Sequence, residues 1–126
     1  MLCMSAPAIR LDMIVLDTAD VAGLAAFYSD LLGGEVGEDD ETWWTVRLPG
    51  ATTIAAQLAP DHQPPRWPDG PPQQVHLDFD VDDITSAHAH ALAVGARQLS
   101  EEGPGGREHG FVVYADPAGH PFCLCW

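Results

Sequence analysis

The sequence predicts an α+β fold made of two tandem β-α-β-β-β modules. Three observations carry this prediction: a strand–cap–helix unit occurs twice, each copy is followed by runs of strand-forming residues, and a proline-rich segment divides the two. The clearer copy begins at Gln74. Val75, Leu77, Phe79 and Val81 alternate with His76, Asp78 and Asp80, which is the period of a half-buried strand. Asp82 or Asp83 then caps a helix whose apolar stripe is Ile84, Ala87, His88, Ala91 and Val94, stopped at Gly95. In the earlier copy, Leu11 to Asp17 is the strand and Asp20 the cap. Val21, Leu24, Ala25, Tyr28, Leu31 and Leu32 form the buried stripe, and Gly33-Gly34 is the stop. An offset of 63 residues carries Asp20 onto Asp83 and Met13 onto His76. A repeat near half the chain length means two similar halves that bury their faces together.

Between these units, Gly34 to Glu38 reads as a short strand and Glu38-Asp39-Asp40-Glu41 as an acidic hairpin tip. Trp43 to Leu48 is a strand, Pro49-Gly50 a turn, and Thr52 to Ala59 another strand. Pro60, Pro64, Pro65, Pro68, Pro71 and Pro72 exclude helix or central strand from 60 to 72. The second half repeats the order: strand 75–81, helix 83–94, a short strand at 97–100 and a mobile Gly/Pro-rich loop toward Gly110. Strand Phe111 to Ala115, turn Asp116-Pro117-Ala118-Gly119 and strand Pro121 to Trp126 complete it. We expect a single domain over residues 1–126, with module one at about 9–59, a linker at about 60–73 and module two at about 74–126.

Composition narrows the function. The chain has 126 residues, nineteen acids, five arginines, no lysine and a formal net charge of −14. Such a charge repels phosphate backbones and anionic lipid, so neither nucleic acid nor a membrane is an expected partner. Without lysine there is no Schiff-base chemistry. Three cysteines with no Cys-x-x-Cys argue against a disulfide framework and fit a reducing compartment. No secretory apolar region or run of eighteen apolar residues occurs, and the expected location is cytoplasmic.

Phe27-Tyr28, Leu31-Leu32-Gly33 and Asp116-Pro117-Ala118-Gly119-His120, set in paired β-α-β-β-β halves, resemble the vicinal oxygen chelate superfamily. That group includes glyoxalase I, bleomycin-resistance proteins and extradiol dioxygenases. The resemblance spans roughly residues 9 to 126. Ala59-Pro60, Pro65-Arg66-Trp67-Pro68 and Gln73 to Asp78 look most like glyoxalase-like proteins of actinobacteria. The resemblance implies a curved mixed sheet with a concave cavity, outer helices and a homodimer. It also implies a divalent metal held by the first and last strands of each half. Carried over by position, those places are Met13, Gln57, His76 and Cys123, where metal enzymes typically have His or Gln at the first and third and Glu at the second and fourth. Thioether, amide, imidazole and thiol are a poor set for a hard ion, and no metal-bound carboxylate is present to act as base.

Several side chains remain as candidates. His76 reads as a metal ligand, a general base oriented by Asp78 or Asp80, a hydrogen-bond donor to ligand, or a histidine satisfied by neighbouring strands. Cys123 and Cys125 share a strand face; with His76 and Gln57 they can hold a soft ion, or they are small hydrophobes. Trp43 and Trp44 point to opposite faces, and Trp67 lies in the proline-rich crossover. An aromatic pair with Arg47 or Arg66 can stack on a flat ligand. His88 and His90 point to different helix faces; His62 and His109 fall in loops, and His120 begins the last strand. No phosphate loop, nucleophile elbow or His-Glu-x-x-His motif is present.

The expected cavity is lined by Met13, Val15, Gln57, His76, Asp78, Tyr114 and Cys123, with Trp43 or Trp44 and Trp67 near its rim and Arg47 as a further ligand contact. The leading expectation is a binding protein for an aromatic or amphipathic small molecule that needs no cofactor. The alternative is a lyase, isomerase or dioxygenase with a noncanonical metal on His76, Gln57 and Cys123, or with His76–Asp78 acid–base catalysis. A regulatory or structural domain with a filled cavity is the third reading.

Overall fold

A computed structural model describes residues 7–8, 10–50 and 52–126. The element order is β1 (Met13–Thr18), α1 (Val21–Leu32), β2 (Glu35–Asp40), β3 (Trp43–Arg47), β4 (Thr53–Leu58), β5 (Leu77–Asp80), α2 (Ile84–Ala93), β6 (Arg97–Gln98), β7 (Phe111–Ala115) and β8 (Pro121–Cys125). Each module makes its own four-stranded mixed sheet, ordered β1-β4-β3-β2 and β5-β8-β7-β6. In both, the first strand runs parallel to the last and the others are antiparallel. This is the α+β arrangement of two β-α-β-β-β units.

The duplicated caps lie where the repeat places them. Asp20 accepts from the Gly23 amide at 3.0 Å, and Asp83 from the Thr85 amide at 3.1 Å, each satisfying an orphan donor of its helix. Gly33 closes α1 in the left-handed region at φ 74°, and Gly95 does the same after α2 at φ 117°.

Three elements differ from expectation. The acidic run is not the hairpin tip: Glu38 to Asp40 lies within β2, where the register shifts, and Glu41-Thr42 makes the turn. Asp40 shapes that turn by accepting from the Thr42 amide and hydroxyl, both at 2.7 Å. β5 starts at Leu77 opposite Phe122, because the next residue back on β8 is Pro121, which has no N–H for the ladder. β6 ends at Gln98, since the Leu99 and Ser100 amides both donate to the Val113 carbonyl and break the pairing there. The loop before β7 carries contacts of its own. Arg107 donates to the Gly103 carbonyl at 2.8 Å and stacks over Trp126, whose indole N–H donates to the Arg107 carbonyl at 3.0 Å.

One hydrophobic cluster joins the modules. Leu24, Phe27 and Tyr28 of α1 are buried with Val46 and Ile54 of the first sheet and with Val112, Tyr114, Phe122 and Leu124 of the second. Phe122 is its centre, stacked on Tyr114 at 5.3 Å and touching Phe27 at 6.0 Å and Phe79 at 5.8 Å. Polar links cross the same boundary. Tyr28, 1% exposed, donates its hydroxyl to Asp116 Oδ2 at 2.6 Å, and Asp116 is itself 4% exposed. Burial first, then the Asp116 charge and the hydrogen bond, raise the Tyr28 phenol well above its usual range, so it stays a donor. His90 donates to the Asp30 carbonyl at 2.9 Å, joining α2 to α1.

The linker is seated against the β7–β8 turn. Gly119 has φ 89°, and a Cβ there would lie 2.5 Å from Pro64 Cβ, so this position has room only for hydrogen.

Removing the Tyr28 hydroxyl leaves a buried carboxyl oxygen without its donor. Tyr28→Phe is therefore expected to destabilise the protein by about 1–3 kcal/mol in urea unfolding; an unchanged midpoint would contradict this role.

Candidate functional site

The helices cover one face of each sheet, and the candidate residues are sorted by the other. In the first sheet, Asp17 lies opposite Gln57 and Gln57 opposite Trp43, so these three share the open face. By the same alternation Met13, Val15, Thr53 and Arg47 join them. Arg47 pairs with Glu35 across 3.6 Å, and both side chains are well exposed. Trp44 lies on the helix side, packed against the core. It walls a separate hollow of about 550 Å³ with Asp20, Glu38, Asp40 and Glu41.

In the second sheet, Asp78 lies opposite Cys123, and Cys123 opposite Val113. Asp80, Cys125 and Phe111 follow on the same open face. His76, two residues before Asp78, projects to the same side, with its Nε2 3.3 Å from Asp78 Oδ1. Tyr114 does not line this surface. It is fully buried on the helix side, where its hydroxyl shares a 2.7 Å hydrogen bond with His88 Nδ1. The cause is hairpin register: the turn after Asp116 sets Ala115 opposite Pro121, which puts Val113 with Cys123 and turns Tyr114 away. Burial and the nearby Cys123 push the Tyr114 phenol up to about 12.

His76, Asp78 and Cys123 offer ligand atoms within 4.8 Å of one another. Burial, then the Asp78 charge and hydrogen bond, push the Cys123 thiol up to about 12. Cys125 is raised too, by burial and by Asp78 and Asp80. Both thiols are therefore protonated near neutral pH and are weak nucleophiles. Around this cluster lies a hollow of about 390 Å³ lined by His76, Asp78, Gly110, Phe111, Cys123 and Cys125. A neighbouring hollow of about 610 Å³ runs along Trp67, Leu99, Glu102 and Arg107 and shares Phe111 as a wall. Phe111 is 56% exposed, a large ring left in solvent between two cavities.

The glyoxalase-like domain model matches residues 13–125. The chain belongs to the glyoxalase-like domain family. No curated protein matches it. Solved structures share the fold at low identity. A fosfomycin resistance protein, FosX, from Listeria monocytogenes superposes with a TM-score of 0.72 at 17% identity, over 94% of this chain and 91% of that one. A glyoxalase/bleomycin resistance protein/dioxygenase family enzyme from Burkholderia phytofirmans gives 0.69 at 17%, over 90% and 95%. A hypothetical protein from S. aureus gives 0.67 at 15%, over 94% of each chain. The family match, together with this shared fold, supports membership in the vicinal oxygen chelate superfamily.

Superfamily members often use divalent metals, and the glyoxalase-like chain fits one only in part. Of the four positions the resemblance implied, His76 and Cys123 come together, while Met13 and Gln57 lie on the first sheet and line neither hollow. Asp78 takes the third place instead. Imidazole, carboxylate and thiol suit a borderline ion such as zinc, with a fourth position for water.

Phe111 was not among the candidates read from sequence. The signal was present in the turn length, which fixes the parity of β7 against Cys123.

If Asp78 helps keep the Cys123 thiol protonated, Asp78→Asn will speed alkylation of Cys123 by iodoacetamide at pH 8, read peptide by peptide in a mass spectrometer. Equal rates in the two proteins would remove Asp78 from that role.

Proposed function

We propose that the protein is a small-molecule-binding member of its family that holds a flat amphipathic compound on the open face of the second sheet without needing a metal. The observation that carries this is Phe111, exposed between the His76–Asp78–Cys123 hollow and the hollow beside Trp67. An aromatic ring flanked by two cavities gives a planar ligand a stacking platform, with His76 and Asp78 as polar contacts at one end. The resemblance to bleomycin-resistance and fosfomycin-resistance proteins supports binding of a foreign or toxic compound. A lysine-free acidic chain with free thiols fits a cytoplasmic location.

The binding unit in this reading is one domain, its modules at about 9–59 and 74–126 joined by 60–73. It acts as a homodimer. Trp43, Arg47, Met13 and Gln57 occupy the open face of the first sheet, away from the hollow at His76, so a second copy laid across the first would enclose the ligand. Light scattering during size exclusion should give twice the chain mass; a monomer at micromolar concentration would remove the partner copy from the site.

A panel of planar aromatic compounds, titrated with tryptophan fluorescence as readout, tests the binding reading. A hit should bind equally well in EDTA, and Phe111→Ala should weaken it by roughly 1–2 kcal/mol, or about tenfold. Indifference to Phe111→Ala would sink the proposed surface.

The convergence of His76, Asp78 and Cys123 favours a second reading, a lyase, isomerase or dioxygenase with a metal on those three residues. Ligand binding that disappears in EDTA, returns with zinc and is lost in His76→Ala would establish it.

A further inference from the structure

Two histidines outside this surface meet where the modules join. His62, on the linker, has its Nε2 2.8 Å from the Ala118 carbonyl oxygen. His120, immediately before the last strand, has its Nε2 2.6 Å from the Asp17 carbonyl oxygen. A carbonyl can only accept, so each Nε2 carries the hydrogen. In the neutral rings both Nδ1 atoms therefore keep their lone pairs, and neither makes a hydrogen bond among the described residues. The rings are 5.0 Å apart between centroids. Both line one crevice of about 320 Å³, whose wall also carries Asp17, Gln63 and Gln74.

We propose that His62 and His120 form a two-imidazole site for a borderline divalent transition metal such as zinc or nickel, coordinated through Nδ1. Three features of the structure support it. A ligating histidine ordinarily donates its other N–H to a carbonyl or carboxylate, which fixes tautomer and ring direction, and both rings are held that way here. With metal–nitrogen bonds of about 2 Å, two imidazoles on one tetrahedral ion have ring centres about 5 Å apart, matching the observed separation. Asp17, Gln63 and Gln74 line the same crevice, which leaves room for water to complete the coordination. The contacts to the two carbonyls use only Nε2 and leave both Nδ1 atoms without a hydrogen bond among the described residues. A bound ion would tie the linker, β8 and the end of β1 together, so it would raise stability in proportion to its occupancy.

The test separates this crevice from the cluster on the second sheet. In a His76→Ala background, zinc or nickel is titrated calorimetrically, with thermal unfolding followed in parallel. The expected result is one ion per chain and a higher Tm with metal than without. His62→Gln or His120→Gln, each keeping an amide N–H for the carbonyl, should lower the affinity by at least about tenfold and abolish the Tm rise. The metal-free Tm of each variant reports that it still folds. Copper(II) bound to the His76→Ala protein should show two nitrogen ligands by electron paramagnetic resonance. No binding by the folded His76→Ala protein, or binding unaffected by both glutamine variants, would overturn the site.

Discussion

The Asp116 carboxylate fixes both the joining of the two halves and the facing of the second sheet. One of its oxygens accepts from the Ala118 and His120 amides at 2.9 and 3.0 Å, shaping the turn between β7 and β8. The other accepts from Tyr28 on the helix of the opposite module. The turn sets Ala115 against Pro121, and every pairing down the hairpin follows from that start. Phe111 and the two thiols thus reach the surface where Asp78 stands, while Tyr114 and Phe122 turn inward to the shared core. Burial raises the Asp116 pKa, and the hydrogen bond from Tyr28, the nearby His120 and the turn amides act against that rise.

Much of this architecture was legible from local patterns. The caps Asp20 and Asp83, the glycine stops and the alternation of Leu77, Phe79 and Val81 are decided within a few residues, and short-range rules read them well. What could not be read this way depended on pairing between distant segments. Tyr114 and Phe111 both suit a strand, and only the register against β8 says which of them meets solvent. The acidic run at Glu38 to Glu41 looked like a turn by charge, yet Asp40 and Thr42 moved the turn to its end. For the candidate site, His76 and Cys123 were found by analogy of position and Asp78 by alternation. Their approach to one another is a property of the parallel pair β5–β8, which sequence does not display. The pairing of His62 with His120 needed the linker to dock on a turn more than fifty residues away.

The four positions that the resemblance implied for metal are split here by place as well as by chemistry. A thioether and an amide lie on one sheet; an imidazole and a thiol lie on the other, beside the Asp78 carboxylate. Raised thiol pKa values make the second set reluctant to ionise, whereas the aromatic ring beside it costs nothing to present to a flat ligand. One scaffold can host several chemistries, and the side chains on its open face decide among them.

The seating of Pro64 on Gly119 bears on how copies of this chain can assemble. Many duplicated folds trade halves between subunits by straightening the connecting segment, which then acts as a hinge. Here that segment is held against the last hairpin by a contact only glycine permits, and by His62 on the Ala118 carbonyl. Releasing it would also pull Phe27 from Phe122 and Tyr28 from Asp116. Trading modules between copies would therefore mean breaking the core itself.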